Sequence, residues 1–236
     1  AGLCPRLTGP ITGGRMTYSE FLAEFGGRFL DGSLFTIAQF VLSAALAIVI
    51  ALGFGLLKLA RQAVLRGAAT LYIELFRGTS LLVQLYWIFF VLPLCGLTLE
   101  KFTAGFLAVG MNLGAYGAEL VRGAVRSVPK GQWEAAYALS MSPARRMWRI
   151  ILPQALVLML PGWGNLLIEL LKATALVSLI SVTDLMFEAK QINSTTFLSI
   201  QAFGTALVIY YIFARFLLTP LMRWLERTMA RRIGKA

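Results

Sequence analysis

"LFTIAQFVLSAALAIVIALGFGLL", Leu34 to Leu57, runs its whole length without a charge. A helix needs about 20 apolar residues to cross a hydrocarbon core, and this stretch meets that length. Working outward, similar uncharged runs recur at Gly78–Leu99, Phe102–Ala118, Ile150–Ile168 and Gln191–Ala214. The run from Phe102 is slightly short, and reaches span length if Glu119 faces the protein interior. Hydrophobic residues make up 58% of the chain and charged residues 14%, outside the usual range of soluble domains. A soluble all-α protein with buried helices is the alternative, and several such runs in 236 residues argue against it. The sequence predicts an all-α polytopic membrane protein of five transmembrane helices.

Basic residues set the expected orientation. With the N-terminus outside, one inner segment carries Lys58, Arg61, Arg66 and Arg77. The next carries Arg122, Arg126, Lys130, Arg145, Arg146 and Arg149, and the last Arg223, Arg227, Arg231, Arg232 and Lys235. The outer segments hold only Arg6, Arg15, Arg28, Lys101 and Lys190. The positive-inside rule then predicts the N-terminus outside and the C-terminus in the cytoplasm. The net charge of +11 collects beside the spans, so membrane lipid is the expected partner and nucleic acid is not.

Several chemistries are missing. The chain has no histidine, the commonest general base and metal ligand. It has no P-loop for ATP phosphates, and Cys4 and Cys95 make no metal-ligand cluster. A membrane enzyme would need a catalytic pair, and Ser178 and Lys172 are poorly spaced for one. No catalytic residue, metal or cofactor is expected. A transport role is the stronger class, with a stand-alone channel or gradient-driven transporter as the alternative to an ATP-coupled one.

Between the third and fourth runs lies "QWEAAYALSMSPARRMWRIILPQAL", Gln132–Leu156. Trp133, Ala136, Tyr137, Ser140 and Met141 recur at helical spacing, and Ala135 and Ala138 would let another surface approach the backbone closely. Ser142 can cap a second helix with Pro143 at its first position, and that helix is expected to end before Pro153. The pattern predicts a helix-turn-helix wedge over 131–153 with an aromatic and basic surface. A pair of helices lying on lipid is the other reading, and the alanine-rich face favours a protein partner.

"EAAYALSMSPARRMWRIILP" resembles the EAA loop of permease subunits of bacterial binding-protein-dependent ABC importers. Glu134, Ala135, Ala136, Ile150, Leu152 and Pro153 match the pattern, and Ser140 stands at its glycine. "LYIELFRGTSLLVQLYWIFFVLP" (Leu71–Pro93), "NLGAYGAELVRGAVRSVPKGQWEAA" (Asn112–Ala136) and "GNLLIELLKATALVSLI" (Gly164–Ile180) resemble the polar amino-acid uptake branch of the MetI-like superfamily. Within it the likeness is greatest to ectoine and hydroxyectoine permeases. The resemblance covers about Leu34 to Arg227. It implies a type I ABC importer permease fold, in the bacterial inner (plasma) membrane, in which the wedge is the coupling helix. The implied partners are a separate ATPase subunit that binds the ATP, a second permease subunit (identical or related) and a periplasmic solute-binding protein.

Polar residues inside spans are costly and mark candidate solute contacts. Asn112 and Tyr116, with Glu119, share one face of the third span. Asn165, Glu169 and Lys172 share a face of the fourth, followed by Thr174 and Ser178; Gln84 lies in the second. The two stripes could line one route, while Glu169 with Lys172, and Glu119 with Arg122, could instead be ion pairs. A carboxylate and an ammonium together suit a zwitterion. Where many members of the branch carry an acidic residue after the lysine, this chain has Ala173. The expected domain plan is an N-terminal extension and outer surface helix over 1–33, a permease domain over 34–227 and a basic cytoplasmic tail over 228–236. "AGLCPRLTGPITGGR" lacks the apolar core of a signal peptide and reads as an extension ahead of Met16. A second outer surface helix is expected within Ser181–Phe197. The glycines of the first and third spans, including Gly110-x-x-x-Gly114, are expected to pack helices closely within one subunit.

Overall fold

A computed structural model describes residues 16–232; the expected extension over 1–15, with Cys4, and the end of the basic tail fall outside the described residues. Every regular element among the described residues is a helix. Helix α1 spans Tyr18–Leu57, α2 Ala63–Gly78, α3 Leu81–Tyr86 and α4 Lys101–Arg126. The wedge comprises α5, Lys130–Ala138, and α6, Pro143–Arg146. There follow α7 (Leu152–Thr174), α8 (Leu185–Thr196), α9 (Ser199–Ile212) and α10 (Thr219–Arg232). Four continuous helical rods are long and apolar enough to cross a membrane: Tyr18–Leu57, Lys101–Arg126, Pro143–Ile180 and Ser199–Met229. The fifth crossing is a broken one, α2 with Leu81–Cys95, bent by 103°.

Three boundaries differ from the expectation. The lead-in before Leu34 is continuous with the first span, because nothing between Tyr18 and Leu57 interrupts the helix. The second span begins earlier than Gly78 and breaks at Thr79 and Ser80, both of which are extended. Third, the helix that starts at Pro143 runs through Pro153. The ring of Pro153 cannot sit over the carbonyl four residues back in a regular α-helix. A wider π turn at Met147–Ile151 takes up that misfit, and Pro153 falls in the first turn of α7, where no N–H is missed.

Helix α4 is the hub, packed against α1, α7, α2 and α3. Small residues make that possible, since in lipid helix association rests on close packing rather than on the hydrophobic effect. A Cβ on Gly110 would lie 2.8 Å from the Leu46 side chain, and one on Gly114 2.7 Å from Ile50. One on Gly117 would lie 2.8 Å from Ala51 and 2.9 Å from Trp163. The glycines of α4 therefore seat α1 and α7 within this one chain. Leu34, Val41, Val49, Leu207 and Phe216 point outward, as lipid-facing side chains must.

Helix α8 lies across the N-terminal half of α1. Leu185, Ala189 and Ile192 pack with Phe21, Phe29 and Ala202 in one cluster. The Thr36 hydroxyl accepts from the Leu185 N–H at 3.0 Å, and Arg28 pairs with Glu188 at 2.7 Å.

Candidate functional site: the wedge and the intramembrane polar clusters

The wedge is built from local rules. The hydroxyl of Ser142 caps α6 by accepting from the Arg145 N–H at 3.4 Å, with Pro143 following. Helix α5 ends in a Schellman turn: the Ser140 N–H donates to Tyr137 O at 2.8 Å and the Met141 N–H to Ala136 O at 3.1 Å. Ser140 at φ 53° takes the left-handed position of that turn. This is the position where the sequence pattern has glycine, and for an L residue it is strained.

The two helices then lock together. The Arg146 guanidinium lies 3.8 Å over the Tyr137 ring and 5.7 Å from that of Trp133, a cation–π arrangement. The Gln154 side chain donates to Gln132 Oε1 at 3.1 Å. Trp133 packs with the lower core cluster beside Val125, Val128 and Ile151. Ala136 is fully buried, so it belongs to the inner side of the wedge and not to an open alanine face. Glu134, Ala135 and Ser140 are exposed, and Leu139 and Trp148 stand out at 74% and 64% exposure. Leu152 is buried, while Ile150 and Pro153 are partly covered where the wedge joins α7.

The intramembrane polar residues fall into separate groups. Gln84 and Asn112 come together at the bend of the second span, with Asn112 Nδ2 donating to Gln84 Oε1 at 3.0 Å. Each also donates to the carbonyl of Phe76 at 2.9 Å. Phe76 belongs to the last turn of α2, whose carbonyls lose their helical partners at the break. Both amides therefore satisfy backbone that lipid could not. Tyr116 donates to Arg77 O at 3.5 Å, and the Arg77 guanidinium lies 5.3 Å from the Tyr116 ring.

Asn165, Glu169 and Lys172 lie elsewhere, with Ile168, along an open groove of about 440 Å³ on α7. The third- and fourth-span stripes therefore do not meet in one route within this chain, because α7 turns its stripe away from α4. Thr174 and Ser178 are buried at the opposite end of that rod from the wedge. The Thr174 hydroxyl donates to Leu171 O at 2.7 Å, and Ser178 accepts from Lys190 Nζ at 3.0 Å.

Two polar centres escaped sequence reasoning. Glu119 pairs with Arg122 as expected, and also with Lys58, both at 2.5 Å. That second cation comes from the end of α1, and no local pattern marks it. Asp184 is fully buried and caps α8 by accepting from the Phe187 N–H at 2.8 Å. Burial pushes its carboxyl up to about 7, against the opposing pull of the Phe187 and Met186 N–H groups, Lys190 and Tyr210. An aspartate directly before an apolar helical stretch was the available signal.

Five crossings, with a helical wedge inserted between the third and fourth, define a membrane-embedded permease. Residues 21–231 match the family of binding-protein-dependent transport system inner membrane components, and the chain belongs to that family. It is 43% identical over 223 residues to the probable amino-acid ABC transporter permease protein y4tF of Sinorhizobium fredii (strain NBRC 101917 / NGR234), covering 89% of this chain and 92% of that one. It is 36% identical over 205 residues to the L-cystine transport system permease protein TcyB of Bacillus subtilis (strain 168), covering 86% and 87%. The crystal structure of an amino acid ABC transporter with histidines superposes with a TM-score of 0.81 at 33% identity, over 88% of this chain and 97% of that one. The inward-facing MetNI methionine ABC transporter shares the fold, with a TM-score of 0.77 at 20% identity over 87% and 98%.

Proposed function

We propose that this chain is the membrane subunit of an ATP-driven importer for polar amino acids or related zwitterions, ectoine-type solutes among them. A separate ATPase seats on the wedge, which carries its motion into the spans. The observation that carries the reading is the continuity of the rod Pro143–Ile180. Its first turn is half of the wedge and its middle bears Asn165, Glu169 and Lys172. Glu134, Leu139 and Trp148 offer the ATPase a mixed acidic and apolar contact. The names of the relatives, an amino-acid permease and a cystine permease, support the solute class.

The groove on α7 is where solute meets the chain. Among the described residues, neither Glu169 nor Lys172 has an oppositely charged partner within 4.0 Å, so both charges are free for a zwitterion's ammonium and carboxylate. The groove is open and lined from α7 alone, which supports a route shared between this chain and a second permease subunit. In this reading the wedge faces the cytoplasm, and α8 faces outward toward a solute-binding protein.

The test is uptake into vesicles. Solute should accumulate only when the chain is co-expressed with its ATPase and binding protein and ATP is supplied. Glu134→Lys should abolish association with the ATPase while leaving membrane insertion intact. Uptake without an ATPase, or unchanged association of the variant, would overturn the reading.

A further inference from the structure

A cavity of about 520 Å³ lies between the wedge and the ends of α1 and α4. Arg61, Arg126, Lys130 and Arg146 line it, and among the described residues no carboxylate does. Arg146 is only 5% exposed, and its buried Nε–H has no hydrogen-bond partner. The Tyr137 and Trp133 rings cover the guanidinium face but give that N–H no in-plane acceptor. A buried cation left so is costly unless an anion completes it.

The neighbouring cavity shows that the contrast is local. There Glu119 pairs with both Lys58 and Arg122, and Glu74 lies 3.8 Å from Lys58. Arg126 lines both cavities, and of the two only the cavity under the wedge lacks a carboxylate in its lining. We propose that the cavity under the wedge binds a phosphate-bearing anion, the headgroup of an acidic phospholipid.

The chemistry fits that occupant. Arg forks and a lysine recognise phosphate oxygens, and the volume falls in the range of small-molecule sites. Leu59, Val125 and Met147 supply an apolar wall for the start of an acyl chain. Trp133 and Tyr137 are the residue types that settle at headgroup level. Basic residues clustered at span ends attract acidic lipids; here they surround a preformed cavity. The site rests on the chain's own geometry and not on the importer reading.

The experiment is lipid retention by the purified full-length chain, read by native mass spectrometry after extraction from vesicles of equal phosphatidylglycerol and phosphatidylcholine. The wild type should retain phosphatidylglycerol at least roughly tenfold over phosphatidylcholine. Arg126→Gln combined with Lys130→Gln, both exposed and tolerant of change, should weaken that retention by roughly thirtyfold. Arg223→Gln on α10 should not. Equal retention by the double variant and the control would overturn the proposal. Displacement of the lipid by millimolar inorganic phosphate, with no lipid preference, would assign the site to free phosphate and overturn the lipid source. Loss of the lipid whenever the ATPase subunit is assembled would assign the cations to a protein partner, with the same consequence.

Discussion

The backbone N–H of Met141 reaches over Ser140 to the carbonyl of Ala136 at 3.1 Å, closing the turn between the two wedge helices. Ser140 must hold φ 53° for that bond to exist. Glycine adopts this conformation without a Cβ penalty. Ser140→Gly is expected to stabilise the chain by about 0.5–1 kcal/mol, and Ser140→Val to destabilise it by more than 1 kcal/mol. Thermal unfolding in detergent reads both.

The approach of α1 and α7 to α4 leaves no room for side chains on the glycine seam. Gly117→Val is expected to cost about 1–3 kcal/mol, because its branches meet Ala51 and Trp163 together. Gly123→Val, where a Cβ meets nothing within 4 Å, is the comparison and should shift the melting temperature far less.

At the break of the second span, Gln84 and Asn112 share the Phe76 carbonyl. Either replacement by leucine leaves a buried polar group short of a partner, at about 1–3 kcal/mol. The double replacement should depart from the sum of the two, since the amide–amide bond is lost only once while the Phe76 carbonyl loses its last side-chain donor only in the double variant. A double-mutant cycle on thermal stability measures that coupling.

Asp184 makes stability depend on pH. Its carboxyl titrates at about 7 in the folded chain and near 4 when unfolded, so the folded form binds the extra proton between those values. The stabilisation is fully present below about pH 4 and is lost as pH rises through 7. Melting temperature should therefore fall between pH 6 and pH 8. Asp184→Asn, which keeps the helix cap, should flatten that slope.

Helix count and the wedge were legible because both depend on local pattern: long uncharged runs for the first, and Ser142-Pro143 with small residues for the second. The bend was not. Arg66, Glu74 and Arg77 made Ala63–Gly78 resemble a polar connection, although it forms a helix with Ala69 and Ile73 buried. Sequence shows Gln84 and Asn112 as polar residues in spans but not the broken backbone that both of them serve. The Lys58–Glu119 pair joins residues 61 apart, and Asp184 meets Tyr210 across 26; no spacing rule reaches either.

The π turn at Met147–Ile151 carries a mechanical consequence. Because it keeps the helix unbroken past Pro153, Pro143–Ile180 is one strut of 38 residues, roughly 57 Å long at 1.5 Å per residue. Tilting it by about 10° around its middle would swing each end through roughly 5 Å, in opposite directions. Leverage of that kind would reach from Pro143 to the Ser178–Lys190 contact at the rod's other end, with Pro161 inside α7 the place where it could flex.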